Sequence, residues 1–290
     1  MDPWPAPAKL NLFLHVLGRR PDGYHELQTA FQFVDLCDEI SFDVRNHSRI
    51  VRVEGPAEVP EWDDLTVRAA QRLQREQQTG RPLGVGIHVR KRIPLGSGLG
   101  GGSSDAATTL VALNALWGLG LSIDRLAYLG RDLGADVPVF VRGRAAWAEG
   151  VGDEITPLDL PELTYVVIYP GVVVSTAEIF QAPELTRNSA AITIRAFLES
   201  DGRNDCEQVV RARYPEVAAA LEWLGQFAPA RLTGTGSCVY AAMGNFERAQ
   251  KLLDQVPAGW QGFLVQGRNR SPLLERLERA GSSASGRTRL

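Results

Sequence analysis

The stretch Pro94-Leu95-Gly96-Ser97-Gly98-Leu99-Gly100-Gly101-Gly102-Ser103-Ser104-Asp105 constrains the chain more than any other. An apolar, β-branched run, Val85-Gly86-Ile87-His88-Val89, leads into it, and a helical pattern from Ala106 to Trp117 leads out. The glycines therefore sit on a strand-to-helix turn. Such a turn is a ready anion site. Glycine lets the backbone approach closely, the first N–H groups of the helix have no internal partner, and the macrodipole is positive there. Ser103 and Ser104 supply a predicted helix cap and two hydroxyls suited to a phosphate or a metal ion. A flexible linker is the plainer alternative, but linkers are not usually clamped between a strand and a long amphipathic helix. No Gly-Lys-Ser/Thr follows the glycines, so the loop is not a Walker A. Gly96-x-Gly98-x-x-Gly101 satisfies the dinucleotide fingerprint, which also requires an acidic residue about 20 positions on. The nearest candidate, Asp124, reads as the start of a second helix, which argues against a dehydrogenase.

Upstream, Ala8 to Leu14 reads as a strand. Period two places Leu10, Leu12 and Leu14 on one face and Lys9, Asn11 and Phe13 on the other. Only Lys9, Lys91 and Lys251 are lysine, so 28 of the 31 basic residues are arginine. Where arginine is the default cation, a lysine beside a motif points to a need for a compact ammonium, which singles out Lys9 and Lys91. Arg20-Pro21-Asp22-Gly23 is a turn with a mechanism, since proline presets φ and glycine accepts φ > 0. Tyr24 and His25 leave it together.

Further strands are predicted at Gln28 to Phe33, Glu39 to Arg45 and Ile50 to Val53, and helices from Asp64 to Gln77 and Ser122 to Leu133. Asp136 follows a helix-ending glycine, Gly134, and precedes the apolar, strand-like Val137 to Phe140. A turn hydrogen bond and a carboxylate at the mouth of a cleft are both open to it. A break near Thr156-Pro157-Leu158 divides the chain into residues 1–156, residues 157–280 and a predicted disordered tail, 281–290. The second part alternates helices with mostly antiparallel strands, an α+β sandwich, and contains a second small-residue turn, Gly234-Thr235-Gly236-Ser237.

A formal charge of −3 argues against a general nucleic-acid binder. No apolar run approaches the roughly 18 residues of a membrane span, and Met1-Asp2-Pro3-Trp4-Pro5 lacks the features of a signal peptide. Cys37, Cys206 and Cys238 are far apart, which fits reduced thiols and not a disulfide framework. The expectation is a bacterial cytoplasmic enzyme, monomeric or weakly dimeric, with a small-molecule partner.

Five segments in order resemble one family, the GHMP kinases (galactokinase, homoserine kinase, mevalonate kinase, phosphomevalonate kinase). They are Pro7-Ala8-Lys9-Leu10-Asn11-Leu12, Arg20-Pro21-Asp22-Gly23-Tyr24-His25, the glycine-rich loop, Gly134-Ala135-Asp136-Val137-Pro138 and Leu232-Thr233-Gly234-Thr235-Gly236-Ser237. The spacing is similar to that of the branch acting on a cytidine diphosphate conjugate of methylerythritol, from about Trp4 to Leu277.

The resemblance implies an α+β, two-domain GHMP kinase fold. Its N-terminal domain would be of the ribosomal protein S5 domain 2 kind and its C-terminal domain a ferredoxin-like α/β sandwich. It implies phosphoryl transfer from ATP, with Mg²⁺, to the 2-hydroxyl of the erythritol portion. Asp136 would take the hydroxyl proton, with Lys9 beside it. Pro94, Leu95, Gly96, Ser97, Gly98, Leu99, Gly100, Gly101, Gly102, Ser103 and Ser104 would cradle ATP, with Ser103 or Ser104 open as a metal contact. Lys91 and Leu65 would meet the adenine nucleoside. Tyr24 and Phe180 would sandwich the cytosine, His25 would read its edge, Asn11 would contact the diphosphate or erythritol, and Thr176 would lie nearby. Two positions depart from the pattern: Asp64, where asparagine is expected, and Ser97, where glycine or alanine is common. Mevalonate-type kinases lack the need for an aromatic base platform, and a binding-only relative would have no need of Asp136.

Overall fold

A computed structural model of the chain describes residues 2–77, 80–199 and 202–285. It is built on a long antiparallel pair, β1 (Trp4–Arg19) and β2 (His25–Arg45). The turn between them closes as its sequence demands. Arg20 N–H donates to the Tyr24 carbonyl at 2.8 Å, and Gly23 adopts φ +89°. The rest of the first half is β3 (Ile50–Glu54), α1 (Leu65–Gln74), β4 (Gly84–Arg90), α2 (Gly101–Trp117), α3 (Ile123–Arg131), α4 (Val137–Arg142), β5 (Ala146–Glu149) and β6 (Glu154–Pro157). The second half contains β7 (Thr164–Tyr169), α5 (Thr176–Gln181), α6 (Ile194–Glu199), α7 (Glu207–Arg213), α8 (Pro215–Gly225), β8 (Ala230–Leu232), β9 (Val239–Met243), α9 (Phe246–Leu253), β10 (Gln261–Arg268) and α10 (Pro272–Ser285).

β2 is one continuous strand where two shorter ones were predicted. Burial on both faces from residue 28 to 34 keeps it paired through the gap between them. One edge carries β1. The other is divided among β5 (residues 29–31), β10 (33–34) and β4 (39–45). β3 lies parallel to β4, with α1 as the crossover. β10 runs antiparallel to β7 and then, at Gly267 and Arg268, joins β2. The second sheet, in order β10-β7-β9-β8, is thereby continuous with the first.

Four further sequence expectations need correction. First, α2 is not amphipathic: every residue from Ser104 to Leu113 is buried, because the helix lies between sheet and outer helices. It also begins earlier than predicted. Its N-cap is Gly100, in the left-handed region, so Ser103 and Ser104 lie inside the first turn and do not cap it. Second, Val137 to Phe140 is helix α4, with Pro138 in the first turn, where its missing N–H costs nothing. Third, the alternation of β1 fails at a bulge between Asn11 and Phe13. One extra residue reverses the faces, so Leu14 joins Lys9 and Asn11 at the cleft while Phe13 packs against Trp147 and Phe197. Fourth, the tail predicted over 281–290 is helical to Ser285. Residues 286–290 lie outside the described residues. Helix α10, absent from the predicted elements, returns to the first half: Leu273, Leu277 and Ala280 pack into its core, and the Arg276 guanidinium lies 4.7 Å from the Trp4 ring centre.

Candidate active site

The two glycine-rich turns meet backbone to backbone. A Cβ on Gly98 (φ +77°) would stand 2.4 Å from the Thr233 carbonyl oxygen and 2.8 Å from that of Gly236, so only glycine allows the contact. Cys238 N–H donates to the Ser97 carbonyl at 2.9 Å, and Asn204 Nδ2 ties down the Leu232 and Gly234 carbonyls. Above this junction lies a cleft of about 480 Å³. Gly101, Gly102 and Ser103 line it, and they carry the first N–H groups of α2. The first internal bond of the helix is Ser104 N–H to the Gly100 carbonyl at 2.9 Å. Three N–H groups with no helical partner thus border the cleft at the positive end of a 17-residue helix.

Lys9 reaches the same cleft from β1, at 3% exposure. Its ammonium donates to Asn11 Oδ1 and to the Gly98 carbonyl at 3.0 Å, and lies 3.5 Å from Asp136 Oδ2. Burial pushes its pKa below the ordinary lysine value, and the Asp136 carboxylate opposes that shift. Asp136 stands at the N-terminus of α4, but its side chain makes no capping bond there. Its carboxylate is one-third exposed and faces the cleft, ready for another partner. Asn11 is spent on orientation: Oδ1 accepts from Lys9 and Nδ2 donates to Thr29 Oγ1 at 2.9 Å. Thr176 Oγ1 meets Thr235 Oγ1 at 2.9 Å across the cleft wall.

At the far end, Leu65 and Lys91 border the cleft beside Pro94 and Leu95. The Lys91 ammonium is held between two carboxylates, 2.5 Å from Asp38 Oδ2 and 2.7 Å from Asp105 Oδ2. Burial works to lower its pKa, but Asp105 and Asp38 together raise it. Asp105 is driven well above the ordinary carboxylate range, by burial first and by Asp38 second, against the pull of Lys91. Asp38 also accepts Arg92 and Ile93 N–H, fastening the approach to the glycine loop. Asp64 is fully used elsewhere. Oδ1 caps α1 through both polar groups of Thr66, and Oδ2 pairs with Arg52 at 2.8 Å. The missing amide at this position therefore leaves no unpaired group.

Of the loop residues predicted to hold ATP, Leu99 and Ser104 are fully buried beneath the cleft, and Ser103 is the serine whose side of the helix borders it. Ser97 is buried, with its carbonyl accepting from Cys238 N–H. At the opposite wall Phe180 lines the cleft, but the His25 ring lies on it, with centroids 5.2 Å apart and planes at 28°. Tyr24 stands 67% exposed on its turn, so the predicted Tyr24–Phe180 pair is not assembled here. Thr29, Asp38, Thr235 and Arg187 were not predicted as site residues. Only Thr235 carried a signal, through its small-residue turn.

The N–H-lined glycine turn, the second glycine turn docked on it and the Lys9–Asp136 pair at their junction, on this two-sheet α+β frame, define a GHMP kinase. Residues 64–144 match the GHMP kinases N terminal domain, and residues 184–262 match the GHMP kinases C terminal domain. The 4-diphosphocytidyl-2-C-methyl-D-erythritol kinase of Nitrosococcus oceani is 57% identical over 278 residues, 96% of this chain and 99% of that protein. The enzyme of the same name from Alkalilimnicola ehrlichii is 58% identical over 281 residues, 97% and 96% of the two chains. A crystal structure of 4-(cytidine 5'-diphospho)-2C-methyl-D-erythritol kinase superposes with TM-score 0.78 at 34% identity, covering 91% of this chain and 98% of the other. A mevalonate kinase shares the fold, with TM-score 0.68 at 16% identity. The chain belongs to the 4-diphosphocytidyl-2-C-methyl-D-erythritol kinase family.

Proposed function

We infer that this kinase transfers the γ-phosphoryl group of ATP to the 2-hydroxyl of 4-diphosphocytidyl-2-C-methyl-D-erythritol. The products are the 2-phosphate and ADP, on the methylerythritol phosphate route to isoprenoid precursors. The observation that carries the reading is the Lys9–Asp136 pair, set 3.5 Å apart against the N–H-lined glycine loop. Phosphoryl transfer asks little covalent chemistry of a protein and much positioning and charge neutralisation. The substrate oxygen bonds to the γ-phosphorus as the bond to ADP breaks, and the hydroxyl proton passes to the Asp136 carboxylate. The Lys9 ammonium, held by two acceptors, sets positive charge beside both. The N–H groups of Gly101, Gly102 and Ser103 bind the phosphates of the nucleotide.

Mg²⁺ fits this donor set. Ser103 lines the cleft beside the N–H groups of the glycine loop, and its hydroxyl is an oxygen donor of the kind Mg²⁺ takes alongside nucleotide phosphates. The Ser103 hydroxyl would be its protein contact, and it would neutralise phosphate charge. Among the described residues no helix is long and apolar enough to cross a membrane. The bacterial relatives of this biosynthetic enzyme support a cytoplasmic location.

The test is ATP consumption by the purified protein with Mg²⁺ and the cytidine conjugate, beside Asp136→Asn and Lys9→Ala. A loss of about 10²-fold or more in kcat for Asp136→Asn is expected. Turnover that survives the substitution nearly intact would remove Asp136 as the base. No wild-type turnover with the conjugate would remove the substrate.

A further inference from the structure

Arg187, in the segment after α5, directs its hydrogen bonds to the wall where His25 and Phe180 stack. Nε–H donates to His25 Nε2 at 3.1 Å. One Nη donates to the Phe180 carbonyl at 2.8 Å and the Ala182 carbonyl at 2.7 Å, and the other to the Leu185 carbonyl at 3.1 Å. A single half-buried guanidinium therefore holds both the imidazole and the end of the helix that presents Phe180.

The imidazole contact has a chemical consequence. A guanidinium has donors and no acceptor, so the ring nitrogen facing it must offer a lone pair. Imidazolium, with two N–H groups, has none to offer. The ring is then neutral, with its proton on the far nitrogen, Nδ1. The environment agrees: burial, then the charges of Arg187 and of Arg19 on β1, hold His25 below the ordinary histidine range.

We propose that Arg187 is the positioning residue for base selection, fixing His25 as the neutral Nδ1–H tautomer so that it presents a donor and no charge to the pyrimidine. This rests on the reading of the site as one for a cytidine conjugate. Cytosine offers acceptors at N3 and O2, whereas uracil carries a donor at N3. An imidazole donor fixed toward N3 therefore accepts cytosine and leaves two N–H groups facing each other with uracil, whereas O2, an acceptor in both bases, offers no choice between them. Stacking on Phe180 adds affinity but cannot discriminate, since every base has a π face. The choice of base is thus made by a tautomer, and the tautomer by a residue that need not touch the base.

The experiment has two arms. In the first, ¹⁵N spectra of the histidine rings in the full-length enzyme, with the His25 signals assigned by their loss in His25→Gln, report the tautomer directly, alone and with cytidine monophosphate added. The neutral Nδ1–H form is expected in the wild type, and a tautomer mixture in Arg187→Met. In the second arm, Arg187→Met should raise KM for the cytidine conjugate about tenfold or more and lower the preference over its uridine analogue by a similar factor, with KM for ATP changed by less than roughly twofold. An Nε2–H or imidazolium signal in the wild type at neutral pH would overturn the proposal. So would an Arg187→Met enzyme that loses affinity for both substrates alike and keeps its base preference, since that is the behaviour of a helix-end tether alone. If the wild type fails to phosphorylate the conjugate, the proposed function falls. The ring spectra with cytidine monophosphate then decide the His25 assignment separately, an unmoved Nδ1–H signal overturning it.

Discussion

Gly98→Ala tests whether the two glycine-rich turns form one rigid unit. Two costs separate cleanly when it is compared with Gly118→Ala. Both glycines have left-handed φ, +77° and +62°. A Cβ on Gly118 meets nothing within 4 Å, so that variant suffers only the backbone penalty, about 1–2 kcal/mol. At Gly98 the same penalty is joined by a Cβ 2.4 Å from the Thr233 carbonyl oxygen, where ordinary contact begins near 3.4 Å. The turns must part by about 1 Å, and neither can yield freely. Gly236 N–H is bonded to the Thr233 carbonyl at 3.0 Å, and Cys238 N–H to the Ser97 carbonyl at 2.9 Å. Forced overpacking costs a further 1–3 kcal/mol or so, so Gly98→Ala should lose about 2–5 kcal/mol in urea denaturation. The Gly98 carbonyl also accepts from Lys9, so the shift carries to the Lys9–Asp136 pair. A displacement near 1 Å there should lower kcat on the order of 10²-fold, while Gly118→Ala keeps near wild-type turnover. Equal stability losses in the two variants, with turnover kept in both, would refute the rigid docking of the turns.

Asp38→Asn should lose about 3–5 kcal/mol and raise KM for ATP, because the carboxylate is buried, pairs with Lys91 and holds Arg92 and Ile93 N–H just before the loop; denaturation and ATP titration report both. Asp105 has a raised pKa in the folded protein, so above its unfolded value of about 4 the native state binds the extra proton and stability falls as pH rises through the shifted range. Asp105→Asn should flatten that slope in denaturation series taken from acid to neutral pH; an unchanged slope would show that the carboxyl titrates normally. All three thiols are buried, with Cys37 and Cys206 pushed up to about 12 and Cys238 higher still, burial being the main cause. The native enzyme should therefore resist maleimide at neutral pH and label fully once unfolded, and rapid native labelling would contradict the packing around them.

The elements that could be seen in advance share a short-range signature. The 20–24 turn, the glycine loop between β4 and α2, and the Ser122 cap of α3 are settled by a few neighbouring dihedrals and hydrogen bonds. The errors fall where longer-range packing overrides that signal. Val137 to Phe140 is apolar on every side because it is a buried helix end, and continuous apolarity does not distinguish a short helix from a strand. Phe13 and Leu14 exchange faces through a bulge that alternation cannot reveal. At the site, Lys9, Asn11 and Thr176 line one cleft with the glycine loop; Lys9 and Asn11 stood in a sequence motif, whereas Thr176 was implied by the family resemblance alone. Asp38 and Arg187 had no motif, since each acts by holding a group that does.

The local sequence by itself determined a strand–loop–helix that exposes N–H groups to an anion, two lysines where arginine is otherwise the rule, and a turn that sets His25 at the start of a strand. Those features follow from residue type and spacing over a dozen positions. Only the tertiary structure decided that Lys9 and Asp136, 127 positions apart, lie 3.5 Å from each other. The same holds for the β10 strand that joins the two sheets and for the guanidinium of Arg187 against the His25 ring. Such pairings depend on which buried surfaces fit together and on which donors must find acceptors out of water, and no local pattern records that.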